Sequence, residues 1–230
     1  MFLRGDLTYR PIPLPYRADL SNEEIKLAAD DFYVKATQRH TVRDFSSRPV
    51  DLSVIQTSVK SAGLAPSGAN HQPWHFVAVS DVDVKRQIRN AAEEEERKFY
   101  TGGAGDEWIK ALEPIGTKAS KAHLEEAPWL IVIFAERYGQ FDDGMRYKNY
   151  YVPESVGIAA GFLILALHYA GLVSLTHTPN PMKFLNELLD RPISNKPMMI
   201  LAVGHPVDAA TVPSAAKIKK SIEDILTVYS

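Results

Sequence analysis

The segment that most limits what this chain can fold into is Trp129–Glu136, WLIVIFAE. The side chains of a strand alternate between its two faces. A strand that is apolar at nearly every position must therefore be covered on both faces. The chain needs helices above and below a sheet, and the rest of the sequence offers them. Ser21 followed by Glu24 has the form of a capping box and opens a helix running to about Arg39. Pro49, Asp51 and Leu52 begin a second helix, which continues to about Ala62 and is stopped by Gly63 and Pro66. Residues 75–80, HFVAVS, alternate and are β-branched, as a strand requires. Residues 83–98 read as a helix, and residues 108–126 as mostly helical with a break near Pro114 and Gly116. Residues 173–178 and 198–204 read as strands, with a short helix over 182–189 between them.

The most apolar helix covers residues 153–170, with Gly171 as its C-cap. It is short for a membrane span and contains His168, so it reads as a buried helix. Its small residues Gly157, Ala159, Ala160 and Gly161 would let another helix approach closely. Strands and helices interleave without a repeat or a clean linker, which predicts one α+β unit of the three-layer, α/β type. Its expected limits are 21–205. An extended arm, residues 1–20, precedes it, with Pro11, Pro13 and Pro15 opposing a helix. An extension, 206–230, leaves the core. Residues 101–106, TGGAGD, are predicted to be irregular and mobile, and residues 142–151 to be a loop.

Composition narrows the function. The chain has 230 residues, a net charge of -2 and no cysteine. No whole-chain charge favours nucleic acid or an anionic membrane. Disulfides, iron–sulfur clusters and a cysteine nucleophile are excluded. The first residues carry charge and proline where a signal peptide needs an apolar run, so the expected location is cytoplasmic.

Four stretches carry candidate chemistry. Arg39 and Arg43, in RHTVRDF, are four apart and share a face if the helix persists that far. Two guanidinium groups on one face can clamp a phosphate, or can simply form surface ion pairs. In APSGANHQPW, Ser67, Asn70 and backbone N–H groups can hold oxygen atoms, although turn chemistry alone explains the stretch. It is neither a GxGxxG nor a P-loop sequence. Thr176, His177 and Thr178 end an apolar strand, where ligand contacts concentrate. In an extended segment His177 points away from the two threonines. No second ligand stands at metal-binding spacing. Finally, residues 93–96 are four glutamates. A solvated helix face explains such a run, but Glu96, Tyr100 and Lys121 bracket the glycine-rich segment. Brought together by a lid over about 92–122, they would suit a zwitterionic amino acid.

Taken together, RHTVRDF, APSGANHQPW, EEEERKFY, LVSLTHTP and AATVP closely resemble the iodotyrosine deiodinase family of the nitroreductase superfamily, over roughly residues 35–215. The resemblance implies a nitroreductase-like fold: a central mixed sheet flanked by helices, with extended arms exchanged in a homodimer. It implies two FMN molecules at the subunit interface. By position, Arg39, His40, Thr41, Val42, Arg43, Ser67, Gly68, Thr176, His177 and Thr178 match flavin contacts. Thr178 matches the threonine that reaches the flavin N5, and Ala69 a residue whose backbone meets the substrate phenolate. Glu96, Tyr100 and Lys121 match the residues that clamp the amino acid. The sequence departs from the animal members at His40, where they have arginine, and at His177, which interrupts three threonines. Lys217 falls near a late flavin-phosphate arginine and would keep its charge without its fork. The implied activity is reductive dehalogenation of halotyrosines, such as 3-iodotyrosine, by single-electron steps with an unidentified electron donor or reductase. The alternatives are a general NAD(P)H-dependent nitroreductase or quinone reductase, and a non-catalytic flavin- or tyrosine-binding module.

Overall fold

Four strands build the sheet that the WLIVIFAE segment demands. The computed structural model describes residues 9–103, 105–141 and 143–230. The first eight residues of the arm, Ala104 of the glycine-rich segment and Asp142 of the 142–151 segment lie outside the described residues. Strands β1 (Trp74–Val79), β2 (Trp129–Glu136), β5 (Val173–His177) and β6 (Asn195–Gly204) lie in the order β1-β2-β6-β5. All three pairings are antiparallel. Among the described residues, the sheet is mixed through a single parallel bridge, Thr41 with Ser174, beside β5.

Alternation along β2 divides the core. Leu130, Val132 and Phe134 face one layer with Ile200 and Ala202 of β6. There they meet Ile88 and Ala92 of α3 (Val82–Lys98), Leu124 of α5 (His123–Glu126) and Leu185 of α7 (Phe184–Leu188). Ile131, Ile133 and Ala135 face the other way with Leu201 and Val203. Their partners are Ile55 and Ala62 of α2 (Leu52–Ala62) and Val156, Ala160, Leu163 and Leu167 of α6 (Val152–Tyr169). Each fully buried leucine or isoleucine in these layers contributes about 1.5–3 kcal/mol relative to exposure.

Helix α1 (Asn22–Thr37) starts at the predicted capping box, with Ser21 and Glu24 reciprocally bonded. Yet it buries no residue, and Ile25, Leu27, Phe32, Tyr33 and Val34 are exposed. It is held by His168 Nε2, which donates to the Lys35 carbonyl at 2.8 Å, and by Phe32 stacked on Tyr169. The expectation of a buried helix over 153–170 is half met. The inner face of α6 packs on the sheet, while Ile158 and Phe162 are exposed. Gly157 and Gly161 do not mark a close approach within the chain, since a methyl group on either meets nothing within 4 Å. The sheet lies on one side of α6, and among the described residues nothing buries Ile158 and Phe162 on the other.

Two local readings are corrected. The 142–151 segment is not all loop: β3 (Tyr138–Gln140) and β4 (Arg146–Lys148) form a hairpin turning at Gly144, whose φ is 82°. Its stability comes from cross-strand side chains, Arg146 over the Tyr138 ring and Phe141 against Tyr147, rather than from an alternating apolar face. The sequence therefore lacked a strand signal. Nor is the glycine-rich segment irregular throughout, because α3 runs on into a π-helical turn, Phe99–Gly103. Gly102 (φ 134°) supplies a backbone state closed to side chains, and α4 (Asp106–Leu112) follows.

Candidate functional site

The shared helix face foreseen for Arg39 and Arg43 does not form, and of the two only Arg43 lines the cavity described below. Helix α1 ends at Thr37, so no helix carries both arginines. The chain after α1 instead comes beside β5, where the Thr41–Ser174 bridge and the Val42 N–H to Ser174 carbonyl bond (3.4 Å) hold it. Val42 is buried there, while Arg39, Thr41 and Arg43 are partly exposed. Arg43 is half-buried, and burial pushes its guanidinium below the ordinary arginine value, opposed by Asp44 and Tyr100. It remains a cation at neutral pH. Among the described residues, neither arginine has a carboxylate within ion-pair distance.

Arg43 opens onto a cavity of about 780 Å³. That volume lies within the range of small-ligand pockets, roughly 300–1,000 Å³. Thr176 and Thr178, exposed at the end of β5, line it from below. Phe99, Tyr100, Trp108 and Thr117 cover it from the segment between α3 and α5. The three residues foreseen as a clamp do meet. Lys121 Nζ lies 3.0 Å from Glu96 Oε2, with their side chains 7% and 14% exposed. The Tyr100 hydroxyl is 2.7 Å from Thr117 Oγ1, and Lys121 Nζ sits 5.8 Å from the centre of the Tyr100 ring. A buried ion pair is weak evidence of stabilisation, because desolvation offsets the attraction. Opposite charges held at the wall of a cavity do suit a ligand that carries both signs.

His177 faces away from the two threonines, as an extended segment requires, and is buried. Its ring meets His123 edge to face at 5.8 Å. His177 Nε2 lies 3.9 Å from Glu96 Oε1, and among the described residues neither it nor His123 Nε2 has a hydrogen-bond partner. Burial, then Lys121, pushes both imidazoles down, His123 to about 4 and His177 to about 3. Both are neutral at pH 7. His177 thus backs the clamp, and it lines the same cavity as the two threonines.

The 65–74 loop lies elsewhere. Ala69, Asn70 and Gln72 all have positive φ (50°, 55° and 50°), a conformation that costs about 1–3 kcal/mol per side-chain-bearing residue. Gly68 is required, since a Cβ there would lie 2.6 Å from the Tyr150 carbonyl oxygen. The Gly68 N–H donates to Ser155 Oγ at 3.2 Å, and the Gln72 N–H to Ser67 Oγ at 2.9 Å. The first bond straps the loop to the first turn of α6, and the second closes the loop on itself. Ser67, Gly68 and Ala69 do not line the cavity of their own chain. Nor do Arg39, His40, Thr41 and Val42, or Lys217, which is exposed on the 3₁₀ turn Ser214–Lys217. Sequence reasoning missed Thr117, Trp108, His123 and Glu93. Only Glu93 carried a signal: it stands three before Glu96 and so shares its helix face.

The donor set fits a flavin phosphate and ring edge: an unpaired, half-buried cation beside two strand-end hydroxyls. Comparison with known proteins agrees. The nitroreductase family model matches residues 36–205. An iodotyrosine deiodinase from Haliscomenobacter hydrossis is 46% identical over 221 residues, covering 96% of this chain and 99% of that protein. One from Daphnia pulex is 41% identical, covering 95% and 72%. The crystal structure of an oxidised iodotyrosine deiodinase bound to FMN and 3-iodo-L-tyrosine superimposes with a TM-score of 0.72 at 33% identity, covering 86% of this chain and 98% of that one.

Proposed function

The chain belongs to the nitroreductase family, closely related within it to the iodotyrosine deiodinases, and on that premise we propose that it removes halide from halotyrosines with FMN. The observation that carries the reading is the buried Glu96–Lys121 pair at the wall of a cavity that also holds Arg43, Thr176 and Thr178. The reaction replaces an aryl carbon–iodine bond by carbon–hydrogen. It consumes two electrons and one proton and releases iodide. FMN, when bound, supplies the electrons.

The protein's own residues supply pose and charge. Arg43, and Arg39 from outside the cavity lining, would hold the flavin phosphate through guanidinium forks, and Thr176 and Thr178 would offer hydroxyls to the ring edge, Thr178 toward N5. Glu96 takes the substrate ammonium and Lys121 its carboxylate, so that the zwitterion replaces one internal pair by two. Tyr100 closes above them. Phe99 and Trp108 exclude water from the reacting ring. Ala69, through its N–H, receives the phenolate.

Ala69, Ser67 and Gly68 complete this site from a second copy of the chain. In support, they lie outside the cavity of their own chain, and apolar side chains stand exposed on α1 and on the outer face of α6. The assembly is a homodimer in which these faces are covered and the arms are exchanged. The electron donor is a separate reductant or reductase.

A visible-spectrum titration of the FMN-loaded protein with 3-iodo-L-tyrosine tests the reading, followed by anaerobic turnover with a chemical reductant. A saturable flavin perturbation and stoichiometric iodide are expected. Lys121→Met should weaken binding about 10- to 100-fold and retain FMN, the loss of one charged hydrogen bond. A flavin spectrum indifferent to iodotyrosine would move the activity to a general nitroreductase.

A further inference from the structure

The four-glutamate run divides its work. Glu94 and Glu95 pair with Lys98 one turn on, at 3.2 and 2.9 Å. Glu93 and Glu96, three apart on α3, both turn to residue 121. Glu96 meets its side chain. Glu93 Oε1 accepts its backbone N–H at 2.7 Å. The same oxygen accepts from Arg89 Nε at 2.9 Å and from Ser120 Oγ at 3.4 Å. Arg89 in turn donates from Nη1 to Glu125 Oε2 at 3.0 Å, and so ties α3 to α5. On its other side, the Lys121 carbonyl accepts from the Leu124 N–H at 2.9 Å, in the first turn of α5. The Lys121 backbone is therefore held at both peptide groups.

We propose that Glu93 is a positioning residue for substrate recognition: by fixing the backbone of Lys121, it sets the ammonium that receives the carboxylate of an amino-acid substrate. This rests on the reading that Lys121 holds that carboxylate. The Glu93 side chain is 16% exposed, so the bond is shielded from water. Burial alone would raise its carboxyl. The Lys121 N–H and the Arg89 guanidinium outweigh burial and hold it below the ordinary carboxylate value. It is thus an anion at neutral pH, and its three donors are satisfied by one oxygen. The placement is selective by construction. A ligand without a carboxylate makes no use of Lys121 and gains nothing from Glu93.

The test compares 3-iodo-L-tyrosine with 2-iodophenol, which has the phenol and the iodine but no zwitterion, on the FMN-loaded protein. Kd is read from flavin fluorescence, alongside KM and kcat for iodide release. Glu93→Ala should weaken 3-iodo-L-tyrosine about 10- to 100-fold in Kd and KM, the cost of one charge-assisted bond. It should leave FMN affinity and 2-iodophenol turnover within about twofold of the parent. Glu93→Gln keeps an acceptor oxygen for the Lys121 N–H and should recover most of the loss. Equal Kd in parent and Glu93→Ala, with the parent still preferring iodotyrosine, overturns the role of Glu93 alone. Equal damage to both ligands and to FMN also overturns it, since Glu93 then serves the fold and not recognition. A parent that does not distinguish the two ligands overturns the amino-acid clamp itself.

Discussion

Acidification from about pH 7.5 to about pH 5 should remove about 4 kcal/mol of stability through the His123–His177 pair alone. Folding drives the two imidazoles from the ordinary value of 6.5 to about 4 and about 3, chiefly by burial and then by the Lys121 ammonium. The carboxylate of Glu96, 3.9 Å from His177, does not rescue the charge, because Lys121 at 3.0 Å already neutralises it. The sign follows from proton counting. Between the unfolded and folded values the unfolded chain binds more protons, so stability falls as pH drops below about 6.5 and goes on falling until the folded values are reached. At about pH 5 both rings are still neutral in the native protein, while each unfolded imidazole has gained a proton worth roughly 2 kcal/mol. Carboxylates such as Glu93, held below 4.5, change little in this window. The assay is urea unfolding of the FMN-loaded protein at both pH values and fixed protomer concentration, for the parent and for the double variant His123→Gln, His177→Thr. The readout is the difference in pH dependence, which is insensitive to any packing loss in the variant. A parent and variant that lose the same stability on acidification would refute the argument, because the rings would then be solvated or charged in the native state.

Three other outcomes follow from single contacts. Arg43→Met should weaken FMN about 10- to 100-fold, by loss of one charged fork, measured by flavin fluorescence titration; unchanged affinity removes Arg43 from the flavin site. Gly204→Ala should cost about 1–3 kcal/mol in denaturant unfolding, because the new methyl meets the rigid Pro128 ring at 2.5 and 2.8 Å. Lys85→Met should cost about 1–3 kcal/mol. Its buried Nζ donates to the Glu125 and Ala127 carbonyls at 3.0 and 2.7 Å, which would be left without that donor.

The sheet, its two covered faces and most helices were legible because they rest on local patterning. WLIVIFAE could only be a central strand, and alternate residues along it do serve the two core layers. The capping box at Ser21 and Glu24 forms as written. The hairpin at 138–148 was not legible, since ring contacts across strands leave no periodic trace. The clamp residues were marked by resemblance and by their place around the glycines, but nothing local says that Glu96 and Lys121 are 3.0 Å apart.

By itself, then, the sequence determined the layers and the residue types at the site, since burial and backbone preference act over a few positions at a time. The tertiary structure alone decided which groups meet. Arg43 lines the cavity where the chain bridges Ser174 beside β5, not because helix α1 persists to it. Glu93 and Glu96 divide Lys121 between its backbone and its side chain because α3 and the start of α5 are packed on one sheet face. Such contacts span 25 residues or more of chain. They depend on how the layers pack, which local spacing does not encode.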